Sequence, residues 1–201
     1  EMCIRDSHNP VGRAWTADEL RALMEICIQH HILVISDEVY FGLVYPNKQY
    51  TPLASVSREA SLNSVTCISP SKSYNLTGIK HSLVITENTE IMEKYKAELH
   101  KNNEFFGESI FGHAAVTAAF GECDQWSREL MEYIEGNYQL VRSFMSQHIP
   151  QVRVFSPEAT YFLWMDFRFL GMSDEELTTF FEDDAQVEVS QGYSLGTGGS
   201  G

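Results

Sequence analysis

Three short, largely apolar runs set among helical patterns do most to restrict the folds open to this chain. Residues 32–35 read Ile32-Leu33-Val34-Ile35, and residues 65–68 and 82–86 have the same character. A continuous apolar run of this length suits a strand buried on both faces, as strands of a parallel sheet are. Ahead of the first run, Thr16-Ala17-Asp18-Glu19 has the form of a capping box, with Thr16 at the N-cap and Glu19 three residues on. Leu20, Leu23, Met24 and Cys27 then recur at helical spacing, which predicts an amphipathic helix over residues 16–31. Helix followed by buried strands predicts an α/β layer with a mostly parallel sheet.

The later pattern differs. Helices are expected over residues 90–101, 109–121 and 125–148, the last carrying Leu130, Ile134, Tyr138, Val141 and Met145 and stopped by Pro150. Residues 152–155 and 160–167 are strand-like, Ser173-Asp174-Glu175-Glu176 is a second capping box, and residues 186–190 read as a closing strand. Strand, strand, helix and strand predict a small α+β domain, with the boundary inside the long helix between residues 135 and 136. Residues 1–7 look polar and patternless and are expected to lie outside the fold or to be disordered. Residues 196–201 are glycine-rich, and with no lysine or helix after them they read as a truncated turn rather than a phosphate loop.

With 201 residues and 43% apolar content the chain can bury a sizeable core, as one domain or one and a half. Its formal charge of −14 argues against nucleic acid or an anionic membrane as partner. No apolar stretch approaches bilayer length, and no signal-peptide pattern is visible. Cys3, Cys27, Cys67 and Cys123 lack metal-type spacing and read as thiols of a reducing compartment, so the expectation is a cytoplasmic protein with no metal site. His30-His31 ends a helix, where positive charge suits the dipole better than metal binding suits the pair.

Four short motifs fall on successive strand ends or loops: Asn9-Pro10-Val11-Gly12, Asp37-Glu38-Val39-Tyr40, Ser69-Pro70-Ser71-Lys72 and Gly78-Ile79-Lys80. Ligands of open α/β sheets collect at the carboxyl ends of strands, so the four can converge. Each alone has a plainer reading. Lys72 suits a solvated turn, Asp37 a helix cap, Asn9-Pro10 ordinary turn chemistry and Lys80 a surface charge. A lysine held at the mouth of a buried strand is also partly stripped of water, which suits an amine that must lose its proton and attack an aldehyde.

In this order and separation the motifs resemble those of fold-type I pyridoxal-phosphate enzymes, the class I/II aminotransferase superfamily. Within it, residues 159–168, residues 66–72, residues 8–13 and the pair Phe111-Gly112 look like the cystathionine β-lyase group of cysteine-conjugate C–S lyases. The resemblance implies part of a three-layer large domain over residues 8–135 and a truncated small domain over residues 136–201. It implies pyridoxal 5'-phosphate as cofactor, with Lys72 as the catalytic residue that forms the imine and shuttles the α-proton. Asp37 would pair with the pyridine nitrogen, Tyr40 and Asn9 would hold the ring's phenolic oxygen, and Ser69 would hold the phosphate. Lys80 stands where many relatives carry a phosphate-binding arginine, so it supplies charge without the bidentate fork. Ser71 is left as structural. The glycine-rich phosphate turn and the ring-stacking aromatic are expected upstream of residue 8, and the carboxylate-gripping arginine just after Gly201.

The activity implied is β-elimination from cystathionine or another cysteine S-conjugate to give thiol, pyruvate and ammonia. The alternative is an amino-acid aminotransferase, and it draws support from Tyr40, where many lyase-branch relatives have histidine. A regulatory binding protein that contacts a transcription factor is a third reading. The resemblance further implies a homodimeric parent protein with a small amino-acid substrate. The 201-residue chain alone is expected to bind the cofactor poorly and to be inactive.

Overall fold

The computed structural model describes residues 2–5, 7–102 and 109–201. By packing, the chain divides into one unit of Glu1–Asn137 with Pro157–Phe162 and a second of Tyr138–Ser156 with Leu163–Gly201.

The first unit is built on a four-stranded sheet of β1 (Met2–Arg5), β4 (Val34–Asp37), β5 (Ser64–Ile68) and β6 (Leu83–Ile85), in that spatial order. β1 and β5 both run parallel to β4, and β6 closes the edge antiparallel to β5. Residues 1–7 were expected to be patternless. Met2–Arg5 instead forms an edge strand in register with Val34–Asp37, because backbone pairing supplies what four residues of local pattern cannot signal. Glu1 and Asp6 lie outside the described residues. Two further short strands, β2 (Ser7–His8) and β3 (Arg13–Ala14), form a hairpin around the Asn9–Gly12 turn.

Helix α1 (Ala17–Gln29) starts where the capping box predicts, with Thr16 at the N-cap and both reciprocal hydrogen bonds made. Its face of Leu20, Met24 and Cys27 packs with Val34, Leu53 and Ala60 into the core cluster, each at most 3% exposed. Burying a leucine-sized side chain this fully contributes about 2 kcal/mol. The strand expected at residues 32–35 lies two residues later. The Ile32 amide still bonds the Cys27 carbonyl, and His31 takes φ 55°, so the helix exit consumes the first apolar residues. The shift makes Asp37 the last strand residue.

The cap gives a pH-dependent contribution to stability. The Glu19 carboxylate accepts the Thr16 amide at 3.0 Å and pairs with Arg13, which brings its pKa down from 4.5 to about 2. A folded-state pKa below the unfolded one means stability present above pH 4.5 and lost as pH falls through about 2. Glu19→Gln should therefore melt lower than wild type at pH 7, and urea denaturation should show that difference shrinking below pH 4.5. Thr16→Ala should cost about 1 kcal/mol at neutral pH in the same assay.

Helices α2 (Arg58–Leu62), α3 (Pro70–Ser73), α4 (Thr89–Lys101), α5 (Ile110–Glu122) and α6 (Asp124–His148) complete the middle of the chain. The division between units falls within α6, between Asn137 and Tyr138. In the second unit, β7 (Arg153–Val154) and β8 (Met165–Asp166) pair antiparallel, and the second capping box starts α7 (Asp174–Thr179) at Ser173. The strand expected over residues 160–167 is reduced to its last part. Residues 157–162 instead return to the first unit, where the Thr160 amide bonds Leu43 O with φ 69°. Residues 186–190, expected to close the small domain as a strand, have no strand structure. They are exposed along their whole length and begin at a left-handed Gln186 (φ 54°), so no neighbouring strand satisfies them.

Candidate active site

Period-two alternation decides what faces what at the end of the sheet. In β4, Val34 and Ser36 are buried while Ile35 and Asp37 are half-buried, and in β5 Ser64 and Thr66 are buried while Val65 and Cys67 are half-buried. Asp37 is in register with Cys67, so its carboxyl group stands on the less covered face, at the carboxyl edge of two parallel strands. The Glu38 amide adds one more bond to Cys67 O at 2.8 Å, and the chain then turns through Tyr40, which is 4% exposed.

The lysine turn follows β5 directly. Ser69 is the N-cap of α3, its hydroxyl accepting the Ser71 amide at 3.1 Å, and Pro70 occupies the first helical position, where its fixed φ favours the turn. Lys72 sits half-buried in this single turn. The turn is anchored from behind, since the fully buried Ser73 Oγ accepts the Gly42 amide at 3.2 Å. A Cβ on Gly42 would come within 3.0 Å of the Ser73 side chain, so the Lys72 turn and the Tyr40 loop lie in direct contact. Next to it the Tyr74 ring stacks on Trp126 at 5.9 Å and meets Phe120 edge-on. Burial, with the nearby Asp124 carboxylate as a lesser cause, raises the Tyr74 phenol above its ordinary pKa.

Asn9 comes to the same place from the β2–β3 turn. Its side-chain amide donates to the Tyr40 hydroxyl at 3.1 Å, and the Tyr40 ring is held edge-on by Tyr161 at 5.9 Å and Phe162 at 6.2 Å. Gly12 fixes that turn. It has φ +75°, accepts the Glu158 and Ala159 amides at 2.7 and 2.9 Å, and leaves no room for a Cβ, which would stand 2.9 Å from Ala159 O. Gly12→Ala should cost about 1–3 kcal/mol in thermal or urea unfolding, since it combines a left-handed φ with a backbone collision. Glu158 locks the far side by accepting the Ala14 amide at 3.1 Å and Lys48 Nζ at 2.7 Å; the Lys48 bond is the main reason its pKa is lowered.

Of the residues singled out in the sequence, Asn9 and Tyr40 are thus hydrogen-bonded, Lys72 backs onto the Tyr40 loop, and Asp37 ends the adjoining strand. Ser69 and Lys80 are joined differently. The Ser69 hydroxyl donates to His81 O at 2.7 Å, next to Lys80, but the Lys80 side chain is exposed and its backbone is left-handed at φ 52°. Sequence reasoning passed over Glu38, which is 1% exposed and takes three donors. The signal was present: alternation puts residue 38 on the buried face of Val34 and Ser36. Among the described residues no group of three or more His, Cys, Asp and Glu side chains comes together as a metal site.

A mostly parallel sheet with a lysine turn, a carboxylate and an Asn–Tyr pair at its carboxyl edge is the architecture of a partial fold-type I large domain. The sequence matches the family described as aminotransferase class I and II over residues 2–201, and the chain belongs to that family. The match includes most of the segment expected to lie outside it. Cystathionine beta-lyase PatB of Bacillus subtilis is 36% identical over 194 residues, covering 96% of this chain and 50% of the relative. A PLP-bound chain from Clostridium difficile 630, described as an aminotransferase, superposes with TM-score 0.95 at 33% identity, covering 100% of this chain and 52% of that one. Cystalysin from Treponema denticola, which contains a pyridoxal 5'-phosphate cofactor, superposes with TM-score 0.91 at 29% identity over 100% of this chain and 50% of its own. The chain spans about half the length of the curated relatives it matches.

Proposed function

We propose that the protein carrying this chain is a pyridoxal-phosphate-dependent C–S β-lyase that converts cystathionine or another cysteine S-conjugate to a thiol, pyruvate and ammonia. The Asn9–Tyr40 hydrogen bond beside the turn that presents Lys72 supports the pyridoxal-phosphate part of this reading, and the 36% identity to PatB is the observation that carries the lyase. The residue types fit the cofactor's donor and acceptor groups. Asp37 is an anionic acceptor for a protonated ring nitrogen, and Asn9 and Tyr40 supply donors for a phenolate oxygen. The phosphate contact fits less directly, because the Ser69 hydroxyl must leave His81 O to donate to a phosphate, and Lys80 must reach in from solvent. When bound, the cofactor supplies an aldehyde carbon that takes an amine and a ring that draws electrons from the substrate's α-carbon.

Lys72 both holds the cofactor and moves the α-proton at its Nζ, a role served by a half-buried amine on a short, anchored turn. Asp37 keeps the ring nitrogen protonated. Tyr40 is held by Asn9 and two aromatic edges, so its hydroxyl costs little reorganisation when it donates. Tyr40→Phe should lower kcat about tenfold, the scale of one such hydrogen bond, with fold and cofactor stoichiometry retained. Steady-state kinetics and cofactor absorbance check this together.

The similarity to PatB favours the lyase, and Tyr40 with the Clostridium difficile relative favours an amino-acid aminotransferase as second reading. Supplying cystathionine without a 2-oxo acid separates them: pyruvate and free thiol support the lyase, whereas turnover that requires a 2-oxo acid supports the transferase. The parent protein is read as a cytoplasmic homodimer, with no nucleic-acid or membrane partner. The charge of −14 supports the absence of a nucleic-acid partner, and no helix among the described residues is long and apolar enough to cross a membrane. Phe105, Phe106 and the rest of residues 103–108 lie outside the described residues.

A further inference from the structure

Glu38 is the most deeply buried carboxylate near the site, and no step of the reaction proposed above uses it. It is 1% exposed, and an ionised carboxylate so placed is tolerated only when donors surround it. Three do. Ser36 Oγ donates at 2.8 Å and the Leu53 amide at 3.1 Å to one oxygen, and the Tyr50 hydroxyl donates to the other. The residue's backbone is equally committed, its amide to Cys67 O at 2.8 Å and its carbonyl to the Phe41 amide at 3.2 Å. Glu38 is therefore pinned to its own strand, to the neighbouring strand, to the 50–53 loop and to the start of the turn that carries Tyr40.

We propose that Glu38 is a positioning residue for the cofactor site: its buried carboxylate fixes the register of the β4 end, so that Asp37 faces the ring nitrogen and Tyr40 the phenolic oxygen. The physical reason is alternation. Side chains 37 and 38 point to opposite faces, and a one-residue slip would turn Asp37 into the core. A carboxylate with three donors resists that slip more firmly than an apolar side chain does, because moving it strands the donors. The inference rests on the pyridoxal-phosphate reading and adds a residue to it.

The test uses the full-length protein with two variants, Glu38→Gln and Tyr50→Phe, each compared with wild type. The readouts are the visible circular dichroism of bound cofactor, cofactor dissociation constant, and kcat against KM. Glu38→Gln keeps shape and two acceptor contacts but turns the oxygen that accepts from Tyr50 into a donor, and Tyr50→Phe removes one donor at a distance from the reacting groups. The expected result is a folded protein whose cofactor dichroism is weakened, whose cofactor dissociation constant rises several-fold and whose kcat falls about tenfold with KM little changed. Far-ultraviolet dichroism at the wild-type level shows that the change is local. Should Glu38→Gln fail to fold, Tyr50→Phe carries the test with the same readouts. Wild-type dichroism, affinity and kcat in a folded Glu38→Gln or, where that variant does not fold, in Tyr50→Phe would overturn the proposal. Absence of a cofactor band from wild type itself would overturn the underlying reading instead, so the two failures are distinguishable.

Discussion

In the full-length protein, Lys72→Ala should abolish the proposed lyase turnover, lowering kcat by at least about 10³-fold, the scale on which a positioned proton-transfer group operates. The amine is the sole lysine on the α3 turn, and that turn exists because Ser69 caps it, Pro70 starts it and Ser73 ties it to Gly42. Removing a half-buried side chain from so firmly anchored a backbone leaves the fold in place, so melting temperature should move little. Lys72→Arg should be as inactive as the alanine variant, because guanidinium keeps its proton at any accessible pH and cannot add to an aldehyde. A rate within tenfold of wild type in either variant would remove Lys72 from the chemistry.

Asp37→Asn should have the second largest effect. The substitution preserves size and leaves the β4–β5 register intact, but it replaces an anionic acceptor by a neutral amide. A charge-assisted hydrogen bond of this kind is worth about 1.5–3 kcal/mol, so kcat/KM should fall roughly 10- to 100-fold and cofactor affinity should fall with it. Asp37→Glu should lose activity for a different reason. The longer side chain carries the right charge, but the strand end fixed by the Glu38–Cys67 backbone bond places it too far forward. Equilibrium cofactor binding and steady-state rates on both variants separate charge from position.

The places of these two residues, at the end of β4 and on the α3 turn, follow from the sequence because strand-end motifs are local, each lying within four consecutive residues. The helix starts were legible for the same reason. A capping box at Thr16 and another at Ser173 are short-range hydrogen-bond patterns, and both appear where the spacing puts them. What depends on distant pairing was not legible. Met2–Arg5 carries too few residues to announce a strand, and it becomes one only because β4 offers an open edge. The apolar residues from Thr160 to Phe162 look like strand, but the Gly12 turn and Leu43 recruit that segment into a strap. Residues 186–190 contain valines that suggest a strand, yet they stay exposed and the Val187 amide bonds Phe181 O at 2.8 Å instead of a neighbouring strand. In the site, the pairing of Asn9 with Tyr40 across 31 positions emerges only from the fold. The same holds for Ser69, whose hydroxyl type suits a phosphate but whose proton is committed to His81 O. Glu38 lay within reach of sequence reasoning through alternation alone, although its three donors come from Ser36, Tyr50 and Leu53.

The most direct measurement is chemical trapping of the cofactor on the intact protein. Borohydride reduction in the presence of pyridoxal phosphate, followed by proteolysis and mass spectrometry, reads which amine carries the pyridoxyl group. Modification at Lys72 alone, lost in Lys72→Ala, is the predicted result. Modification of Lys80 or of scattered surface lysines with Lys72 untouched, or none at any lysine, would contradict the account.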